Sequence, residues 1–136
     1  MNKVRGYIFS RPFMGERVPQ HVQNLVIRDY CERNRLQFLL SATEYAMQDC
    51  HLIFEQALLE LPKISGLILY SLFQLPKDAD RRKAIYEKIL HQNKALHFAV
   101  EGLHASNQKE FEKIGIIWKV HNVLKLCIKT LDSDKC

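Results

Sequence analysis

Apolar residues change their rhythm several times along the chain, and each change marks an element. Val4 to Ser10 is rich in β-forming residues and starts a sheet. Arg11 to Val18 holds Pro12 and Gly15 and reads as a loop, closed by Pro19, a residue suited to the first turn of a helix. Val22, Leu25, Val26, Tyr30 and Cys31 then keep helical spacing until Arg33-Asn34-Arg35. Leu36 to Ser41 is a second strand, and Ala42 to Gln48 the loop after it. Asp49 is placed to cap a helix carrying Leu52, Ile53, Ala57, Leu58 and Leu61, which Pro62 ends. Gly66 to Leu72 is an uninterrupted apolar run with turn residues at both ends, the pattern of a strand buried on both faces. Leu75-Pro76-Lys77 breaks the chain, and Asp78 caps a helix with Ala84, Ile85, Ile89 and Leu90 on its stripe. Ala95 to Glu101 is a fourth strand. Asn107 with Glu110 has the spacing of a capping box for a last helix over about 107–131, followed by a polar tail, 132–136.

Strands alternating with helices predict a single α/β domain over 1–136: a parallel sheet of about four strands in the order 2-1-3-4, with helices on both faces. The last helix carries more apolar surface than one side of a small sheet needs. It packs as the final crossover helix, and the alternative is that part of it is a subunit interface forming a homo-oligomer.

A length of 136 residues, 47% of them hydrophobic, suits one domain with a real core. No apolar run approaches the roughly 20 residues needed to cross a bilayer, and the N-terminus runs into a strand with no signal-peptide pattern, so a cytoplasmic protein without membrane insertion is expected. Cys31, Cys50, Cys127 and Cys136 lack metal-ligand spacing and read as reduced thiols, mostly in the core. The net charge of +5 favours anionic partners. The cations, including Arg81-Arg82-Lys83, are spaced as solvated helix faces, which gives no ground for a nucleic-acid partner.

In parallel sheets ligands bind outside the carboxyl ends of the strands, at the point where the strand order reverses. That rule selects Ser10, Arg11 and Arg17; Glu44 and Tyr45; Ser71 and Gln74; and Glu101, with Gln20 and Gln23 in the first turns of the first helix. An arginine beside a helix N-terminus suits a phosphate or carboxylate. Glu44 and Glu101 are candidates for an acid/base pair if they face one another. His21, His97 and His104 have no metal-ligand spacing, and no glycine-rich phosphate fingerprint occurs, so no metal and no cofactor are expected.

Two resemblances add to this reading. Tyr7-Ile-Phe-Ser-Arg11, Gln23 to Cys31, Leu69 to Leu75 and the final strand ending in Glu101 resemble the catalytic domain of the serine recombinases. That family begins with tyrosine-x-arginine-x-serine, the serine attacking DNA. Here Phe9 stands in the arginine's place and Arg11 in the serine's, Ser10 is one position off and so faces the other way, and Phe73-Gln74 replace an aspartate-arginine pair. The resemblance implies the fold, and the departures remove the strand-transfer chemistry. The segments Arg5 to Gly15, Pro19 to Cys31, Leu40 to Met47 and Leu69 to Pro76 are also similar to the sporadic carbohydrate cluster family of bacterial surface-polysaccharide gene clusters. That likeness implies a protein of surface-carbohydrate biosynthesis that binds an anionic sugar derivative, a small molecule, at the carboxyl edge. Arg11 would hold the anion, Gln20 and Gln23 would orient hydroxyls, and Glu44 or Glu101 would act as base. The alternative is a catalytically degenerate recombinase-like module that works by oligomerisation or nucleic-acid contact.

Overall fold

The computed structural model describes the backbone of residues 2–134 and the side chains through residue 128. Five strands form one sheet in the order β2-β1-β3-β4-β5, with β1 Asn2–Phe9, β2 Leu36–Glu44, β3 Gly66–Leu69, β4 Ala95–Phe98 and β5 Leu103–Ala105. The first four run parallel, in the order that the alternation predicts, and β5 is an antiparallel edge strand. The helices are α1 Gln20–Arg33, α2 Leu52–Leu58, α3 Ala79–His91 and α4 Gln108–Asp134.

The third strand is buried at every residue, as its unbroken apolar run requires. Strand alternation divides the core. Val4, Ile8 and Ile68 face α1 with Ile27, Tyr30 and Cys31, while Tyr7, Phe9, Leu67, Leu69, Leu96 and Phe98 face α2, α3 and the start of α4. Phe111, Ile114 and Trp118 on α4 complete that second layer.

Several boundaries differ from the sequence reading, each for a local reason. The fourth strand stops at Phe98 because the chain turns through Gly102, whose φ of +64° is a conformation glycine adopts freely; Glu101 lies in that turn, and the three-residue β5 after it is too short for a periodic signal. The third strand stops at Leu69, and Leu72–Gln74 form a short 3-10 turn. Asp49 does not cap α2; His51 occupies the N-cap position without a side-chain hydrogen bond. Asp78 does cap α3, accepting from the Asp80 amide at 3.0 Å. Before α4, Asn107 Oδ1 accepts from the Glu110 amide at 2.9 Å, and Glu110 reaches back to the Ser106 amide at 3.1 Å.

Arg82 is buried, not solvated: its Nη1 donates to the carbonyls of Pro76 and Lys77, and the guanidinium lies 4.2 Å from the Trp118 ring. The Cys127 thiol, expected in the core, is exposed. The helix continues to Asp134 through the first part of the expected polar tail; Cys136 and the side chains of Lys129 and Leu131 lie outside the described residues. Among the described residues no helix is long and apolar enough to cross a membrane.

The close approach of β3 and β4 depends on Gly66, where an added Cβ would collide with the carbonyl oxygen of Ala95. Gly66→Ala is expected to cost about 1–3 kcal/mol in a urea melt, the range for overpacking a tight interior. An unchanged midpoint would show that the two strands have room to spare.

Candidate functional site

The carboxyl end of β1, the loop before α1 and the turn after β3 converge on one side chain. Gln23 sits in the first turns of α1, four residues before Ile27, and so falls on the buried face. Its Oε1 accepts from the Phe9 amide at 3.0 Å and from Gln74 Nε2 at 2.9 Å. Its Nε2 donates to the carbonyls of Phe9 and Val18, both at 2.9 Å. All four hydrogen-bonding positions of the amide are filled. From Gln74 the network continues to the Ser71 amide at 3.4 Å, and Ser71 Oγ donates to Glu101 Oε2 at 2.8 Å while the Leu72 amide donates to Oε1 at 2.9 Å.

A second cluster surrounds Glu44 at the end of β2. Its carboxylate accepts from the amides of Tyr45, Ile53 and Phe54 at 3.0–3.1 Å and from the Tyr7 hydroxyl at 2.8 Å, so it caps α2 in place of Asp49. Burial works against its charge, but these donors outweigh burial and hold the carboxyl below the usual carboxylate range. The Tyr7 hydroxyl is pushed up, by burial first and by the Glu44 charge second. Beside it, Arg11 Nη1 donates to the carbonyls of Tyr45, Met47 and Cys50 at 2.8–3.1 Å, with the guanidinium 4.0 Å from the centre of the Phe9 ring. Ser10 Oγ donates to the Glu44 carbonyl at 2.8 Å.

The geometry therefore gives most of the selected residues structural work. Gln23, Ser71, Gln74 and Glu101 form one network, and Ser10, Arg11, Glu44 and Tyr45 another. Glu44 and Glu101 have separate partners, and a carboxylate with this many donors is a poor base. Gln23 has no hydrogen-bonding capacity left for a sugar hydroxyl. Arg17, Gln20 and His21 are exposed and stand outside both networks. His97 is a packed histidine, with Nδ1 2.9 Å from the Tyr30 hydroxyl, and burial pushes its pKa down to about 4. Among the described residues no cluster of three His, Cys, Asp or Glu side chains could hold a metal ion.

What the sequence reading missed is the space outside this sealed edge. A cavity of about 910 Å3 opens between the loops after β1 and β2, the turn after β3 and the second half of α4. His51, Phe13, Phe73, Trp118 and His121 line it. The i, i+3 spacing of Trp118 and His121 on α4 was the available signal, hidden among the many apolar positions of that helix.

No family model and no curated protein matches the sequence. Solved structures do match in shape. The N-terminal catalytic domain of TP901-1 integrase superposes with a TM-score of 0.63 at 12% identity, over 90% of this chain and 98% of that one. A resolvase family site-specific recombinase from Streptococcus pneumoniae gives 0.62 at 10% identity, over 96% and 95%. The fold resembles that of recombinase catalytic domains. The similarity to the sporadic carbohydrate cluster family, and with it the sugar-derivative ligand, finds no support in these comparisons.

Because the Glu44 carboxyl is held below its ordinary value of 4.5, its contribution to stability is complete above that pH and is lost as pH falls through the lower folded value. Glu44→Gln is expected to lose about 2 kcal/mol at neutral pH, the scale of charge-assisted hydrogen bonds to buried donors. Its urea midpoint should also vary less than the wild type's below pH 4.5. Equal midpoints at neutral pH would remove Glu44 from its capping role.

Proposed function

We propose that this chain is a recombinase-fold module that works by self-association through α4 and has lost strand transfer. The observation that carries the reading is the outer face of that helix. Ile116, Val120, Val123 and Cys127 are spaced 4, 3 and 4 residues apart, the spacing of a helix–helix seam, and all four are exposed. They lie on the side of the helix opposite Phe111, Ile114 and Trp118, which the core buries. Branched residues on the outward face add nothing to the fold of one chain, and burying them against a second copy gives about 25 cal/mol per Å2 of apolar surface.

Two further features support the reading. The structural neighbours are, by name, a catalytic domain of an integrase and a site-specific recombinase, a likeness of fold alone at this identity. Where the serine recombinases carry tyrosine-x-arginine-x-serine, this chain has Tyr7, Phe9 and Arg11, and the neighbouring Ser10 hydroxyl is occupied by the Glu44 carbonyl.

Light scattering at micromolar concentration should give a species of twice the chain mass. Val120→Glu with Val123→Glu should weaken association by about 100-fold, equivalent to about 2.8 kcal/mol, with an unchanged circular dichroism spectrum. A monomeric wild type, or a double variant that associates as well as wild type, would refute the seam.

A further inference from the structure

The cavity outside the sealed edge has two aromatic walls and an excess of positive charge. On one wall Phe9 meets Phe13 and His51 edge to face, with ring centres 5.6 and 5.9 Å apart. On the other, Phe73 lies 4.6 Å from the His121 ring and 5.1 Å from Trp118. Arg11, Lys77 and Lys125 line the space against the single carboxylate of Asp49.

Arg11 makes this more than an apolar groove. The residue is only 9% exposed, and Nη1 makes all three of its hydrogen bonds to the loop carbonyls. Nε and Nη2 have no hydrogen-bond partner among the described residues. A guanidinium fixed along one edge, with donors left on the other, is pre-organised for an anion, because its geometry is set before the ligand arrives. Trp118 adds a buried indole N–H without an acceptor among the described residues. Two residues at the rim, Met14 and Asp49, hold positive φ angles of 56° and 59°, conformations that side chains other than glycine's adopt at a cost.

We propose that this cavity is a binding site for a small aromatic anion, its ring between the Phe9–Phe13 and Phe73–His121 walls and its carboxylate or phosphate head on Arg11, Lys77 and Lys125. The volume falls within the range of small-molecule sites, about 300–1,000 Å3. Aromatic walls favour a flat ring by offset and edge-to-face contact. The three cations against one carboxylate select a negative head. The site is independent of the self-association seam, since Ile116, Val120 and Val123 do not line the cavity.

The test is calorimetric titration of the full chain with indole-3-acetate and with AMP, each beside its neutral counterpart, indole-3-ethanol and adenosine. Location is read from NMR, because the sequence holds one tryptophan and its indole N–H gives one resonance. At least one anion should bind about tenfold more tightly than its neutral counterpart and shift the Trp118 indole resonance saturably. The Lys77→Glu, Lys125→Glu double variant, altered only at exposed positions, should keep its circular dichroism spectrum and lose about tenfold in affinity. Binding of indole-3-acetate alone assigns a carboxylate head, and of AMP alone a phosphate. The proposal is overturned if neither anion binds at millimolar concentration, if charged and neutral probes bind equally, or if the double variant binds as wild type does.

Discussion

The end of β1 depends on one buried amide. Pairing between β1 and β3 ends at Tyr7 opposite Leu69, so on the β3 side Phe9 has no strand residue opposite it, although it still pairs with Glu44 of β2 on the other. Gln23 supplies both partners and extends the sheet edge with a side chain where a backbone runs out. An unpaired backbone group buried there would cost about 1–3 kcal/mol, and Phe9 would leave two. With Gln74 and Val18 on its remaining positions, Gln23 also fixes α1 and the turn after β3 against the same strand end.

Charged residues at this edge do similar work. Glu44 closes the N-terminus of α2, and Arg11 gathers three carbonyls of the loop before it. Arg82 treats Pro76 and Lys77 in the same way. Each is a buried charge compensated by several backbone dipoles, the condition under which burying it is tolerable. The region where parallel sheets ordinarily admit a ligand is consequently filled by the chain's own polar groups, and the open volume moves outward, against α4.

How much of this the sequence could disclose varies by element. The presence of the first four strands, their parallel order from β2 to β4 and the excess apolar surface of α4 follow from local periodicity and handedness, and these read correctly, while the strand ends did not. The edge strand β5 did not, because three residues after a turn carry no period. Gln23 and Glu44 were selected for their place at the strand ends, and their hydrogen bonds go to the chain's own groups: the partners that saturate Gln23 include Gln74, 51 residues away, and those of Glu44 include Tyr7, 37 residues away. A polar residue at a strand end reads the same in sequence whether it faces a ligand or a buried backbone group. Arg82 was misread for a related reason, since its place in a run of cations resembles a solvated face until Trp118 is packed over it.

The most direct test of a sealed edge is native-state hydrogen exchange at the Phe9 amide. That proton sits at the last residue of β1, and its acceptor is Gln23 Oε1, at 3.0 Å. If the saturated amide network closes the sheet, the Phe9 amide exchanges only when the whole domain unfolds, with the same protection as the amides of β3. Exchange through local opening, at a rate far above that of β3, would mean that the edge is open and that Gln23 is free to serve a ligand.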